Sequence, residues 1–110
     1  MYRVAFDEKV LAEMVRRLVE ALDPDRIVLF GSRARGDQQP DSDVDLLIVK
    51  ASNGSTDQWD VRAYEALTGL GIPTDILCYT TQEVEDWAPV RNHVISRALR
   101  EGQVLYERRH

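Results

Sequence analysis

The short spacing between two apolar runs constrains the fold of this chain more than any other feature. Residues 27–30 (Ile-Val-Leu-Phe) and residues 44–49 (Val-Asp-Leu-Leu-Ile-Val) each have the length and the apolar character of a buried β-strand. About 13 residues separate them, which is too few for the helical crossover that joins parallel neighbours. We therefore expect an antiparallel pair joined by residues 31–43.

The rest of the chain alternates helical and extended patterns. Apolar residues recur at helical spacing in residues 6–22, 59–70 and 94–99, and Thr80 with Glu83 forms a capping box for a further short helix. Thr56 or Asp57 is a candidate N-cap for the second helix. Residues 72–79 and 103–106 have the pattern of two more strands. We expect one α/β (α+β) domain over residues 1–110, with a mixed, mainly antiparallel sheet of about three to four strands flanked by helices.

Two aspartates lie at the start of the second predicted strand. Asp43 and Asp45 flank Val44. Side chains two residues apart in a strand point to the same face, so these two carboxylates project together. Mg²⁺ is usually held by one or two carboxylates, with substrate phosphates and water completing its shell. The pattern therefore predicts a Mg²⁺ site with a nucleotide as the second partner.

The residues after the first predicted strand have the chemistry of a phosphate-binding turn. Gly31 lets backbone approach a ligand closely, and Ser32 places a hydroxyl at a strand-to-helix corner where a helical turn favours an anion. Arg33 and Arg35 add guanidinium groups suited to phosphate oxygens. A plain Gly-Ser turn with two solvated arginines has the same residues, so this half of the pattern is not specific by itself.

The two halves together resemble the minimal nucleotidyltransferases of the DNA polymerase β-like superfamily. Their mark is Gly-Ser, ten residues, then Asp-x-Asp, and this chain matches it at Gly31, Ser32, Asp43 and Asp45. The resemblance implies a polymerase β-like fold with Ser32 opposite the two aspartates. It also implies a third acidic residue on a later strand, for which Asp75 is the candidate; a strand-edge or turn carboxylate is the alternative for Asp75.

The same resemblance implies a reaction and a set of site residues. In this superfamily an acceptor attacks the α-phosphate of a nucleoside triphosphate, pyrophosphate leaves, and two metal ions assist. Asp75 would either bind a metal or accept the proton of the acceptor. The implied metal ligands are Asp43, Asp45 and Asp75, and the implied ATP-binding residues are Gly31, Ser32, Arg33 and Arg35.

Stand-alone chains of this size resemble, more narrowly, the antitoxins of toxin–antitoxin modules whose toxins are small helical HEPN ribonucleases. This resemblance covers nearly the whole chain and implies transfer of AMP from ATP to a tyrosine of a HEPN toxin partner. Two other classes stay open, namely an antitoxin that only binds its toxin and a transferase that modifies a small-molecule hydroxyl. Asp43 and Asp45 argue against the pure binder, because clustered carboxylates repel one another without a metal.

The composition limits which binding partners and which cellular compartment we expect. The chain has 19 acidic and 14 basic residues and a net charge of −5, which disfavours binding to long nucleic acid. No stretch approaches the roughly 18 apolar residues that span a membrane, and no signal peptide is visible. Cys78 lies in an apolar run, as expected for a buried free thiol. We expect a cytoplasmic protein.

The C-terminal region is locally basic within this acidic chain. Five arginines lie there, and they form either a solvated face or a contact surface for an acidic partner: Arg91, Arg97, Arg100, Arg108 and Arg109. Trp59 and Trp87 fall near apolar helical positions, which favours core or interface anchoring over base stacking. His93 and His110 are too far apart to suggest a zinc site.

Overall fold

The computed structural model of the chain describes residues 7–51 and 58–108. Phe6, the candidate caps Thr56 and Asp57, Arg109 and His110 lie outside these ranges. The elements are α1 (Glu8–Leu22), β1 (Arg26–Phe30), α2 (Ser32–Arg35), β2 (Val44–Lys50), α3 (Trp59–Ala66), β3 (Thr74–Thr80), α4 (Thr81–Trp87), α5 (Val94–Glu101) and β4 (Gln103–Glu107).

The four strands form one mixed sheet in the order β3-β2-β1-β4. β1 pairs antiparallel with both β2 and β4, whereas β2 and β3 are parallel. The expected antiparallel pairing of the first two strands is therefore confirmed, and so is the mixed, mainly antiparallel sheet. A parallel neighbour for β2 is possible because the connection to β3 contains the helix α3.

Helices cover both faces of the sheet. Alternate residues of β2 enter two separate cores, because successive side chains of a strand point to opposite faces. Leu46 and Ile48 pack in a cluster with Met14 and Leu18 of α1 and with Ala63 of α3. The other cluster contains residues of β1, β2, α4 and α5, namely Val28, Phe30, Leu47, Val49, Val84, Ile95 and Ala98. The domain is thus a three-layer α/β/α arrangement.

Side-chain caps fix where several helices begin and end. The carboxylate of Asp7 accepts the Val10 N–H at 2.9 Å at the start of α1. Asp23 ends α1 in the left-handed conformation, with φ 49°. The predicted capping box is confirmed, since the Thr80 hydroxyl accepts the Glu83 N–H and the Glu83 carboxylate accepts the Thr80 N–H, both at 2.9 Å.

Two predicted boundaries are wrong by a few residues. The predicted second helix extends to Leu70, but α3 ends at Ala66 because Leu67 and Thr68 donate their N–H groups three residues back, in tighter turns. The predicted third strand starts at Ile72, but β3 starts at Thr74, after a proline that has no N–H to donate. No helix in the described part of the chain is long and apolar enough to cross a membrane.

Candidate active site

The three predicted aspartates meet at one end of the sheet. Asp43 directly precedes β2, Asp45 is the second residue of β2 and Asp75 is the second residue of β3. Asp45 and Asp75 are register partners in the parallel pair, so their side chains share one face. This is the face that α4 and α5 cover farther along the strands, where Leu47 and Val49 are buried.

The carboxylates influence one another electrostatically. Partial burial raises the pKa of Asp45, and the negative charges of Asp75 and Asp43 raise it further, while Arg35 opposes the shift. Neither the Asp45 nor the Asp75 carboxylate has a hydrogen bond or an ion pair with another residue that the structure describes. A cation at this position would relieve the repulsion.

The donor set fits a magnesium ion that a nucleotide helps to hold. Within residues 7–51 and 58–108, no group of three or more aspartate, glutamate, histidine or cysteine side chains is placed to hold a metal ion by itself. Mg²⁺ does not need such a cage, because it usually takes one or two carboxylates and completes its shell with phosphates and water. Asp43, Asp45 and Asp75 carry carboxylate oxygens of the hard type that such a partial shell would use, and that they hold a metal stays a prediction.

Gly31 brings the predicted phosphate turn into contact with Asp45. It adopts φ +75°, and a Cβ at this position would overlap Asp45 Oδ2 and lie 3.0 Å from Asp45 Cγ. The Asp45 carboxylate therefore lies directly against the Gly31 backbone. Only a residue without a side chain permits both the positive φ and this close approach.

Ser32 lies at the end of the sheet that carries the aspartates. Phe30, the last residue of β1, pairs with Asp45, so the turn that follows lies level with the start of β2. Ser32 is half-buried and begins the single helical turn α2, which ends in the left-handed residue Gly36 at φ 85°. The strand-to-helix corner predicted from the sequence is confirmed, with Ser32 as the first residue of the helical turn. That its hydroxyl binds phosphate stays a prediction.

Arg33 fastens the loop that leads into Asp43. Its Nε and Nη2 donate to the Ser42 carbonyl oxygen at 3.1 and 2.8 Å. The Ser42 hydroxyl accepts the Gln39 N–H at 2.8 Å, and the Ser42 N–H donates to the Gln39 carbonyl at 3.0 Å. All three polar groups of Ser42 are thus used, and the backbone just before Asp43 is fixed.

Arg35 ties α2 to the C-terminal part of the chain. Its guanidinium pairs with Asp37 at 3.2 Å and with Glu101, at the end of α5, at 3.1 Å. Gln103 Nε2 also donates to the Ala34 carbonyl at 3.3 Å. The sequence carries no local signal for these long-range partners. That Arg33 and Arg35 also bind phosphate stays a prediction.

Cys78 does not contribute a nucleophile to this site. Its thiol is free and partly buried, and burial, with a smaller effect of Asp60, raises its pKa to about 11. The thiol is therefore protonated and weakly reactive near neutral pH. Its side chain projects to the face opposite Asp75, because the two positions on β3 are three residues apart.

Comparison with known proteins shows to which protein family the chain belongs. A family model described as a nucleotidyltransferase domain matches residues 9–105, so the chain belongs to that family. No curated protein matches the sequence.

Solved structures share the fold. A candidate nucleotidyltransferase from Sulfolobus solfataricus aligns with a TM-score of 0.62 at 21% identity, over 91% of this chain and 79% of that one. A toxin–antitoxin structure with AMP-PNP aligns with a TM-score of 0.60 at 18% identity, over 89% of this chain and 73% of that one. A mutant of the toxin–antitoxin MntA-HpeT, with two aspartates changed to glutamate, aligns with a TM-score of 0.57 at 16% identity, over 94% of this chain and 76% of that one.

Proposed function

We propose that this chain is an antitoxin-type nucleotidyltransferase that transfers AMP from ATP to a tyrosine hydroxyl of a partner HEPN ribonuclease toxin. The observation that carries the proposal is the contact between the Gly31 turn and Asp45, with Asp43 and Asp75 beside it, in a chain of the nucleotidyltransferase family. The fold shared with two toxin–antitoxin structures supports a toxin as partner, and AMP-PNP in one of them supports ATP.

Each site residue has a role in the proposed reaction. Asp43 and Asp45 would hold Mg²⁺, which when bound neutralises phosphate charge and lowers the pKa of the attacking hydroxyl. Ser32 and the backbone of its turn bind the triphosphate. A bond forms between the acceptor oxygen and the α-phosphorus, and the bond to pyrophosphate breaks. The hydroxyl proton goes to Asp75 or, if Asp75 binds a second metal, to water.

The decisive experiment follows the label of ATP in a lysate of the host cell. The chain is incubated with Mg²⁺ and with ATP labelled at either the α- or the γ-phosphate. We expect label on a small protein from the α position only, since pyrophosphate carries the γ label away. Asp45→Asn should abolish this transfer, and chelation of Mg²⁺ should have the same effect.

Asp41→Asn is the matched control. Asp41 is exposed and lies two residues before Asp43, outside β2. We expect it to transfer label at the wild-type rate. Transfer from the γ position would contradict the proposal in favour of a kinase. No transfer from either position, by a folded protein that copurifies with a partner, would favour an antitoxin that only binds.

A further inference from the structure

We propose that an exposed patch near the candidate site docks the protein acceptor, and that the acceptor presents an acidic surface to it. We call it the arginine–tryptophan patch, and it consists of Trp87, Val90, Arg91, Arg97 and Arg100. The inference rests on the proposed function, because it assigns the surface by which the same site recognises a protein substrate.

The apolar part of the patch is exposed and preorganised. Trp87, the last residue of α4, is 42% exposed, and Val90 in the following turn is 43% exposed. The Trp87 ring stacks on His93 with 4.4 Å between centroids and 14° between planes. His93 in turn holds its ring by accepting the Ile95 N–H at Nδ1, at 3.1 Å. A fixed, exposed tryptophan is the typical anchor of a protein interface.

The charged part of the patch has no internal counter-charge. Arg91, Arg97 and Arg100 are exposed, and none of the ion pairs within residues 7–51 and 58–108 includes them. In the described part of the chain, the one hydrogen-bond partner of the Arg100 guanidinium is the Arg91 carbonyl, at 3.5 Å from Nη2.

The acidic residues closest in sequence offset these charges only in part. Glu101 pairs with Arg35, and the Asp86 carboxylate accepts from the neutral amide of Gln82. Glu85 and Asp86 keep two negative charges on α4, against the three positive charges of the patch. The patch is therefore a local positive surface on a chain of net charge −5. Such a surface attracts carboxylates of a partner protein. The negative charge of the rest of the chain makes nucleic acid the less suitable partner.

The patch lies on the same side of the sheet as the aspartates. Tyr79 contacts His93 edge to face, with 6.2 Å between centroids, so it touches the base of the patch. Tyr79 and Asp75 are four residues apart on β3 and therefore share a face, about 13 Å apart along the strand. The half-buried Leu77 lies between them. A protein docked on the patch would therefore need to extend about this distance along the sheet to bring a hydroxyl to Asp75, which a protein surface can span.

The test uses matched substitutions on the two sides of the sheet. Val90→Ser and Arg97→Glu alter the patch. Val61→Ser on α3 and Lys9→Glu on α1 are the matched controls, because they make the same kinds of change at exposed positions outside the patch. Val61 is 48% exposed. With the purified acceptor from the label-transfer experiment, we expect KM for the acceptor to rise about tenfold in each patch variant, as for interface hot spots. KM for ATP should stay unchanged, and both control variants should match the wild type.

Three results would overturn the inference. They are an acceptor KM unchanged in both patch variants, an equal rise in the control variants, and a rise in KM for ATP instead of the acceptor. The KM for ATP distinguishes a loss of acceptor docking, which leaves it unchanged, from damage to the nucleotide site, which raises it.

A second assay decides the inference if the wild type labels no protein, in which case the proposed function itself has failed. A photoreactive phenylalanine derivative is placed at position 87 or, as control, at position 61, and cells are irradiated. Support requires a protein crosslinked from position 87 only, which in purified form binds Arg97→Glu about tenfold more weakly than the wild type. No adduct, equal adducts from both positions, or crosslinking to RNA would overturn the inference.

Discussion

Gly31 is the residue where backbone conformation and site geometry depend on each other. Gly31→Ala should lower the free energy of unfolding by about 2–4 kcal/mol, because the added methyl group overlaps the Asp45 carboxylate at a positive φ. Gly36→Ala is the matched control. It has a similar φ of +85° but no atom within 4 Å of the added Cβ, so it should cost only about 1–2 kcal/mol. Urea denaturation measures both values.

A double substitution separates the clash from the strain. Asp45→Ala removes the Oδ2 and Cγ atoms that the new Cβ would meet. Added to Gly31→Ala, it should raise the stability more than it does in the wild type, and added to Gly36→Ala it should change the stability only as much as in the wild type. Equal costs for the two alanine variants, without recovery in the double variant, would contradict the proposed contact.

Asp45 should make the stability of the metal-free protein depend on pH. Its folded-state pKa is raised above the ordinary value of 3.8, so ionisation costs more in the folded than in the unfolded chain. This cost is absent below the ordinary pKa, grows as pH rises and is complete above the raised pKa. Asp45→Asn should therefore be more stable than the wild type at pH 7 without metal, and the difference should vanish near pH 3.

Thermal unfolding with a chelator at both pH values checks this expectation. Excess Mg²⁺ at pH 7 should stabilise the wild type more than Asp45→Asn, since only the wild type keeps the full carboxylate set. A difference between the two proteins that is the same at pH 3 and pH 7 would show that burial and neighbouring charge are not its cause.

At the scale of elements, the connection between α2 and β2 depends on Arg33. Arg33→Ala should increase amide hydrogen exchange at Gln39 and Ser42 roughly 5- to 30-fold. This estimate assigns about 1–2 kcal/mol to the two partly buried hydrogen bonds that the guanidinium donates to the Ser42 carbonyl. The exchange rates of Arg33→Lys should lie between those of Arg33→Ala and the wild type, because an ammonium group cannot reproduce the two hydrogen bonds of the guanidinium.

The amides of β1 serve as the internal control for this measurement. Exchange at Ile27 and Leu29, which lie in a central strand, should not change if only the loop is loosened. Unchanged exchange at Gln39 and Ser42 would contradict the role of Arg33, and faster exchange in β1 as well would indicate global destabilisation.

The elements show which parts of a fold the sequence encodes locally. Apolar periodicity and caps placed α1, β1, α4 and the strand that carries Asp45 correctly, because each depends on neighbouring residues. The end of α3 and the start of β3 depend on turns around Gly69 and Pro73, which a stripe of apolar residues does not define.

The residues of the candidate site also divide into those that the sequence indicates and those that it does not. The aspartates and the Gly31-Ser32 corner are near one another in sequence or belong to a recognisable spacing. Glu101, which positions Arg35, lies 66 residues away from it, and nothing in the sequence marks that pairing.

At the scale of the whole molecule, the two cores should unfold together. β1 and β2 send alternate side chains into both cores, so neither core can form without the same two strands. Leu18→Ala in one core and Ile95→Ala in the other should each cost about 2–5 kcal/mol, since both side chains are fully buried. Each should lower the stability of the whole domain rather than of one layer.

The two tryptophans allow a direct measurement, because Trp59 on α3 and Trp87 on α4 report on opposite faces of the sheet. Fluorescence of Trp59→Phe follows Trp87 alone, and fluorescence of Trp87→Phe follows Trp59 alone. In each background, Leu18→Ala and Ile95→Ala should shift the urea midpoint by similar amounts and leave the slope unchanged. If Leu18→Ala shifted only the Trp59 transition and Ile95→Ala only the Trp87 transition, the faces would be independent and the shared strands would not couple them.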